Sequence, residues 1–173
     1  PMAETVRLGE HILPREQQEF VRGSEAFSDG FRLAAGVLNN LEMPKPEVTL
    51  ADGGKIRLDY SGYLKFRNSE NEADREKVVR AFWENRNGFL KTFAALMDGE
   101  IKKQNFLART QGYRNCLAAA LDADAIDPAV FHAMIEQVRG NLGPFFRYLK
   151  LKKRLLRADT LRYSELHRSP FPA

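Results

Sequence analysis

Hydrophobic residues in the first part of the chain recur every three or four positions, the period of an amphipathic helix. From Leu13 onward the apolar positions fall on one helical face, with small breaks at Gly23 and at the Ser-Asp-Gly sequence of residues 28–30. The pattern predicts a helical pair over residues 13–41. Its apolar members are Phe20, Val21, Phe27, Phe31, Ala34, Ala35 and Leu38.

After two prolines the period changes from helical to alternating. Val48 and Leu50 alternate with polar residues before an Asp-Gly-Gly sequence, and Ile56 and Leu58 alternate after it. Two alternating runs around such a turn are typical of a β-hairpin. We therefore expect a β-hairpin over residues 47–59, packed on helices because an isolated hairpin is marginally stable in water.

A broad apolar stripe then returns at helical spacing and predicts one long helix over residues 73–121, bent at Gly88 and Gly99. Its first 38 residues alone would span roughly 57 Å at the helical rise. Because that length exceeds the width of a compact chain of 173 residues, the pattern indicates part of something larger. The stripe contains Val78, Val79, Phe82, Trp83, Phe89, Leu90, Phe93, Ala94, Met97 and Ile101.

The last predicted element is a kinked basic helix over residues 127–157. Asp127 fits an N-cap and Pro128 the first helical position. Pro144 removes a backbone donor and clashes with the carbonyl of Gly140, which predicts a kink there. The expected fold is mainly α, with long antiparallel helices and one small β-hairpin in a single helical segment over residues 1–173.

Composition narrows the class of protein. With 43% hydrophobic and 29% charged residues, the chain has an ordinary globular composition. It has no apolar run of the roughly 20 residues that cross a bilayer, and its first residues lack the apolar core of a secretory signal. These features predict a cytoplasmic protein without a membrane role. The only cysteine is Cys116, so an intramolecular disulfide is impossible, and its apolar setting favours a buried structural thiol over a nucleophile.

Metal-binding and nucleophilic motifs are absent from the sequence. Histidine occurs only at positions 11, 132 and 167, never in the His-Glu-x-x-His spacing of zinc peptidases. His132 and Glu136 are one helical turn apart, but two ligands do not complete a zinc site; an ordinary i,i+4 surface pair is the better interpretation. A Gly-x-Ser-x-Gly elbow and a glycine-rich phosphate loop are also missing. We assign no catalytic, cofactor-binding or metal-ligating residue in this chain.

Charge is concentrated near the end of the chain. Residues 145–168 contain eight lysines and arginines against Asp159 and Glu165, a net charge of +6, which leaves −2 for the remainder. Such a block attracts polyanions. It supports an alternative function, a free-standing helical module that binds nucleic acid or an acidic partner through this face. The interleaved aromatic residues lie among the leucines, which favours a place in the core and makes nucleic acid the weaker choice.

Four stretches, taken in order, resemble the middle of the oligoendopeptidase F family, the zinc metallopeptidases related to thimet oligopeptidase. They are "EHILPREQQEFV", "LADGGKIRLDYSGYLKFRNSENEADREKVVRAFW", "ARTQGYRNCLAAAL" and "DPAVFHAMIEQVRGNLGPFFRYLKLKKRLLRADTLRYSEL". The resemblance covers about residues 10–166 and consists of order and spacing. It departs at Tyr163-Ser164, where the family has Tyr-Asp.

The resemblance implies that this chain is a fragment of a larger, largely helical enzyme. Its zinc would be held by His-Glu-x-x-His and a later glutamate, all beyond the matched part, so the chain as given would lack the catalytic centre and be inactive by itself. Its partners would be the remaining catalytic half of the parent chain and short peptide substrates. The chain would form helical channel wall, with the basic segment facing peptide carboxylates through Lys152 and Lys153.

Overall fold

The structure is a computed structural model that describes residues 7, 9 and 11–171. In this part of the chain it has eight α-helices and one two-stranded antiparallel sheet, which confirms the mainly α fold with a small hairpin. The helices are α1 (Arg15–Ser28), α2 (Gly30–Val37), α3 (Tyr60–Phe66), α4 (Glu72–Asn87), α5 (Leu90–Thr110), α6 (Cys116–Ala123), α7 (Pro128–Gly140) and α8 (Leu142–Leu155). No described helix combines the length and the apolar character that crossing a membrane requires.

The chain divides into two compact units that alternate along the sequence. The first unit is formed by residues 1–42 and 91–138, and the second by residues 43–90 and 139–173. Each unit therefore needs two separated stretches of chain.

In the first unit, α1 and α2 form the expected helical pair, and a π-helical turn at Leu38–Glu42 follows α2. The approach of Phe31 on α2 to α5 depends on a glycine. A Cβ atom at Gly99 would overlap the ring of Phe31, well inside any normal contact. Gly99 thus leaves room for the aromatic ring, and α5 continues through it.

The hairpin of the second unit forms where the alternation predicts it. Strands β1 (Glu47–Thr49) and β2 (Lys55–Arg57) pair with Val48 opposite Ile56. Gly53 takes the left-handed conformation with φ of 84°, and the amide of Leu50 donates to the Gly54 carbonyl at 2.8 Å. This is the three-residue loop in which a glycine supplies the positive φ.

The core of the second unit lies between the hairpin, α3 and α4. Tyr63 stacks on Phe82 with ring centroids 4.0 Å apart. Because the inward side chains of both strands meet one face of α4, burial of this apolar area holds the hairpin in place. The buried members of the cluster are Val48, Leu58, Tyr63, Val78 and Phe82.

The single long helix predicted over residues 73–121 is wrong. The structure has α4, α5 and α6 in its place, with breaks at residues 88–89 and 111–115. Gly88 ends α4, where glycine is a poor helix former. Gly112 has φ of 75°. The amides of Gly112 and Tyr113 bond the carbonyls of Arg109 and Ala108, which is a Schellman termination.

The kinked helix predicted over residues 127–157 is interrupted more completely than expected. Helix α7 ends at Gly140 and α8 begins at Leu142. The structure therefore has two separate helices where the sequence predicts one kinked helix. Pro144 has no amide hydrogen to donate to Gly140 and its ring crowds that carbonyl. The position of the disruption is confirmed, and so is the Asp127 cap, whose Oδ1 accepts from the amide of Ala129 at 2.8 Å.

Candidate functional site

The basic segment predicted at residues 145–168 consists of most of α8 and the chain that follows it. On α8 the exposed cations Arg147, Lys150 and Arg154 stand at i, i+3 and i+7, so they lie within one narrow face. We call these three residues the basic stripe. Helix α8 contains no acidic residue, and no ion pair between described residues involves the basic stripe.

A second exposed stripe on α8 runs beside the basic one. It consists of Tyr148, Leu151 and Leu155, which have the same i, i+3, i+7 spacing and are about half exposed. The aromatic and leucine residues predicted to be core are therefore only partly so: Leu156 is buried, but Phe145, Phe146 and Tyr148 are exposed. Helix α8 therefore exposes the unpaired cations of the basic stripe next to an apolar stripe.

Lys152 does not belong to the accessible cations. Its side chain is buried and its Nζ donates to the carbonyl of Leu166 at 2.7 Å. The expectation that Lys152 faces substrate carboxylates is wrong, since its ammonium is used to hold the chain after α8. Lys153, the next residue, is exposed.

A buried ion pair fixes the end of the second unit onto α4. Arg75 is fully buried, and its Nη2 lies 2.6 Å from Oε1 of Glu165 in the 3-10 turn Tyr163–Glu165. Nη1 of Arg75 donates to the carbonyls of Ser69 and Glu70 at 2.7 and 2.8 Å. Burial alone would raise the pKa of Glu165, but the hydrogen bond and charge of Arg75, helped by Arg168, hold it below its ordinary value.

This pair gives the departure at Ser164 a structural meaning. Ser164 is itself buried, and the residue after it, Glu165, supplies a buried carboxylate. A carboxylate is therefore still present at this turn, one residue beyond the expected aspartate. Sequence reasoning missed Arg75 because the two partners are 90 residues apart.

A polar cleft of about 240 Å³ lies beside the pair. Its lining includes Arg157, Arg162 and Arg168, but also the carboxylates of Glu72, Asp159 and Glu165. Arg162 is paired with Glu76 and lies 3.6 Å from Glu72. Because positive and negative groups balance, the cleft has no excess charge for attracting an anion.

In the first unit a polar cluster ties the chain before α1 to α6. The hydroxyl of Tyr113 donates to Oδ2 of Asp122 at 2.7 Å, and Arg7 pairs with the same carboxylate. His11 stacks on Tyr113 at 3.7 Å between ring centroids. The hydroxyl bond, with Arg7 and against partial burial, holds the pKa of Asp122 below its ordinary value. This cluster is a structural anchor, since its hydroxyl, carboxylate and Arg7 Nη1 bond one another across the fold.

The other residues singled out in the sequence are dispersed. His132 and Glu136 are both exposed on α7, and among the described residues no ion pair joins them, so the expected surface pair is not formed. The thiol of Cys116 is half-buried and lies 3.2 Å from Oδ1 of Asn105. Asp122 anchors Tyr113 and Asp127 caps α7, as described above.

The described residues contain no group of three His, Cys, Asp or Glu side chains placed to hold a metal ion. A tetrahedral or catalytic zinc site needs at least three protein ligands. The residues of this part of the chain therefore do not fit a zinc ion, and we derive no step through one.

Comparison with known proteins gives a consistent result. No protein-family model matches the chain. Over 157 residues, 91% of the chain, it is 26% identical to group B oligopeptidase PepB of Streptococcus agalactiae and 24% identical to oligopeptidase PepF of Bacillus subtilis. The crystal structure of oligoendopeptidase-F from Enterococcus faecium matches 98% of the chain with a TM-score of 0.93 and 25% identity.

The matched region is a minor part of each of these proteins. It makes up 26% of the PepB relative, 23% of the PepF relative and 32% of the Enterococcus faecium chain. The chain thus spans about a quarter of the length of the curated relatives. The resemblance indicated by the sequence is confirmed: in sequence and in fold this chain corresponds to a segment of oligoendopeptidase F proteins.

Proposed function

We propose that this chain is the non-catalytic helical part of a zinc metalloendopeptidase that hydrolyses short peptides. The observation that carries the proposal is the match of nearly the whole chain to one segment of oligopeptidases, with a TM-score of 0.93 to oligoendopeptidase-F. The activity belongs to the complete protein. The metal and the residues that use it would come from the rest of that protein, since the described residues offer no group of ligands.

Exposed apolar surface supports a role as a wall within a larger protein. In the first unit Met97, Ile101, Val130, Met134 and Val138 are all more than half exposed. Apolar patches of this kind on a soluble protein usually mark a surface that contacts another part of the structure. The partner we propose is the remaining catalytic half of the parent chain, and a helical wall would restrict access to short, unstructured peptides.

The test uses the complete gene product that contains this chain. It should cleave short, internally quenched peptides and leave a folded protein of similar composition intact. A zinc chelator should abolish cleavage, and added zinc should restore it, because zinc in such an enzyme polarises the scissile carbonyl and activates water. Absence of peptide cleavage by the zinc-loaded gene product would overturn the proposal. The alternative, a free-standing binding module that uses residues 145–168, stays a prediction.

A further inference from the structure

We propose that the basic stripe of α8, formed by Arg147, Lys150 and Arg154, binds acidic side chains of peptides and gives the complete enzyme a preference for acidic substrates. The inference rests on the proposed peptidase function and specifies its substrate class. Lys152, the residue that the sequence suggests for this role, is buried and bonded to a carbonyl. The three cations of the basic stripe are accessible on one face instead.

The first argument is the absence of local neutralisation. Single exposed arginines without an ion pair, such as Arg22, occur elsewhere in the described chain, whereas others have acidic partners: Arg15 pairs with Glu19 and Arg32 with Asp29. The basic stripe has no such partner, and α8 contains no acidic residue. Unlike an ordinary mixed surface, a face with charges of one sign raises the local concentration of oppositely charged ligands.

The second argument is that helix chemistry alone does not account for the stripe. Cations in the last turn of a helix interact favourably with the helix dipole, which covers Arg154. Lys150 and Arg147 lie about one and two turns earlier, where this interaction has largely faded. The helix dipole therefore leaves the charges of Arg147 and Lys150 available to an external anion.

The third argument concerns the size and neighbourhood of the stripe. Seven residues at the helical rise place its ends about 10 Å apart, a length suited to a few residues of an extended peptide. Tyr148, Leu151 and Leu155 run beside it and are exposed, so a peptide with both acidic and apolar side chains would fit. Nucleic-acid binding proteins often neutralise about six or more phosphates, twice the charge available here.

The experiment compares the complete gene product with a triple variant, Arg147→Gln, Lys150→Gln and Arg154→Gln. A matched control, Arg22→Gln, Lys45→Gln and Lys91→Gln, removes the same charge from exposed positions outside α8. Two peptides of equal length and core sequence are used, one with glutamates and one with glutamines. The ratio of their KM values isolates the charge preference, and thermal unfolding of each variant is recorded alongside.

For the triple variant we expect KM for the glutamate peptide to rise about tenfold at low salt, as three exposed ion pairs allow. Its kcat and both constants for the glutamine peptide should stay unchanged, and high salt should remove the wild-type preference. The control variant should keep the wild-type KM ratio. An unchanged ratio in the triple variant overturns the inference, and so does a loss of thermal stability alone, which would assign the stripe to contacts within the protein.

A binding measurement separates this inference from the proposed function. Fluorescence anisotropy of the labelled glutamate peptide should show tighter binding to the wild type than to the triple variant, whether or not the peptide is cleaved. If the gene product binds the acidic peptide but does not hydrolyse it, the peptidase proposal fails and the stripe assignment survives. Tighter binding of a single-stranded oligonucleotide than of the peptide, lost in the triple variant, would overturn the peptide assignment in favour of nucleic acid.

Discussion

Replacement of Arg75 by methionine is the most demanding test of the second unit. The change keeps an unbranched apolar stem but removes the cation from Glu165, whose side chain is only 6% exposed. It also leaves the carbonyls of Ser69 and Glu70 without the donor that now reaches them. Breaking a buried ion pair by removal of one partner typically costs about 3–5 kcal/mol, and we expect the free energy of unfolding to fall by about 4 kcal/mol.

The assay is urea unfolding of the 173-residue chain, followed through the fluorescence of Trp83, the only tryptophan. Trp83 lies on α4 and packs edge-to-face on Tyr163 with ring centroids 6.4 Å apart. Its signal therefore reports contact between α4 and the turn that carries Glu165. Arg162→Met is the matched control, because its pairs with Glu72 and Glu76 are exposed and should be worth at most about 1 kcal/mol.

The double variant Arg75→Met with Glu165→Met separates an ion pair from general packing. With both charges gone no unpaired carboxylate remains buried, so most of the loss in the single variant should be recovered. The reasoning is refuted if Arg75→Met costs less than the Arg162→Met control. It is also refuted if the double variant is as unstable as the single one.

Two further predictions concern the first unit. Ala125 has φ of 54° at the end of α6, a conformation that costs a non-glycine residue about 1 kcal/mol. Ala125→Gly should therefore raise the urea midpoint of unfolding. An unchanged or lower midpoint would contradict this interpretation. Tyr113→Phe removes the main cause of the lowered pKa of Asp122, so an NMR titration of the carboxyl carbon should show this pKa rising towards 3.8. Since the folded-state pKa is lowered, the associated stability is present above about pH 3.8 and is lost as the pH falls through the folded value. The stability lost in acid should be smaller in the variant. An unchanged pKa of Asp122 would count against the bond from the Tyr113 hydroxyl.

Local patterns predict the hairpin well because its determinants lie within a dozen residues. The alternation of Val48 and Leu50 with Ile56 and Leu58 is set by the two faces of a strand, and the glycine at position 53 permits the turn. The break near Pro144 is likewise local, since one missing amide hydrogen and one steric clash determine it. In these cases the neighbouring residues contain nearly all of the relevant energetics.

Helix boundaries and the ion pair could not be obtained in the same way. An apolar stripe continues across Gly88 and Gly112, and periodicity alone does not show that one glycine ends a helix while Gly99 lies inside α5. The difference depends on what packs nearby, such as Phe31 against Gly99. Arg75 and Glu165 are joined only by the tertiary fold, so neither residue is distinguished from other surface charges in the sequence.

The candidate surface was predicted in outline and corrected in detail. The sequence places the positive charge between residues 145 and 168, but only the tertiary structure shows that Arg147, Lys150 and Arg154 are exposed while Lys152 is buried. Helical spacing alone assigns Arg147, Lys150 and Arg154 to one face of α8 and Lys152 to another. It could not have shown which face packs against the chain that follows α8.

The alternation of the two units along the sequence has a consequence for synthesis on the ribosome. Residues 43–90 emerge before residues 139–173, and the 48 residues from 91 to 138 lie between them. At about 5–20 residues per second this interval takes roughly 2–10 s. All buried members of the second unit's main cluster lie between Val48 and Phe82, so this cluster can assemble during the interval. The carboxylate of Glu165 emerges only after this interval, so formation of its ion pair with Arg75 is a late step in the folding of the nascent chain.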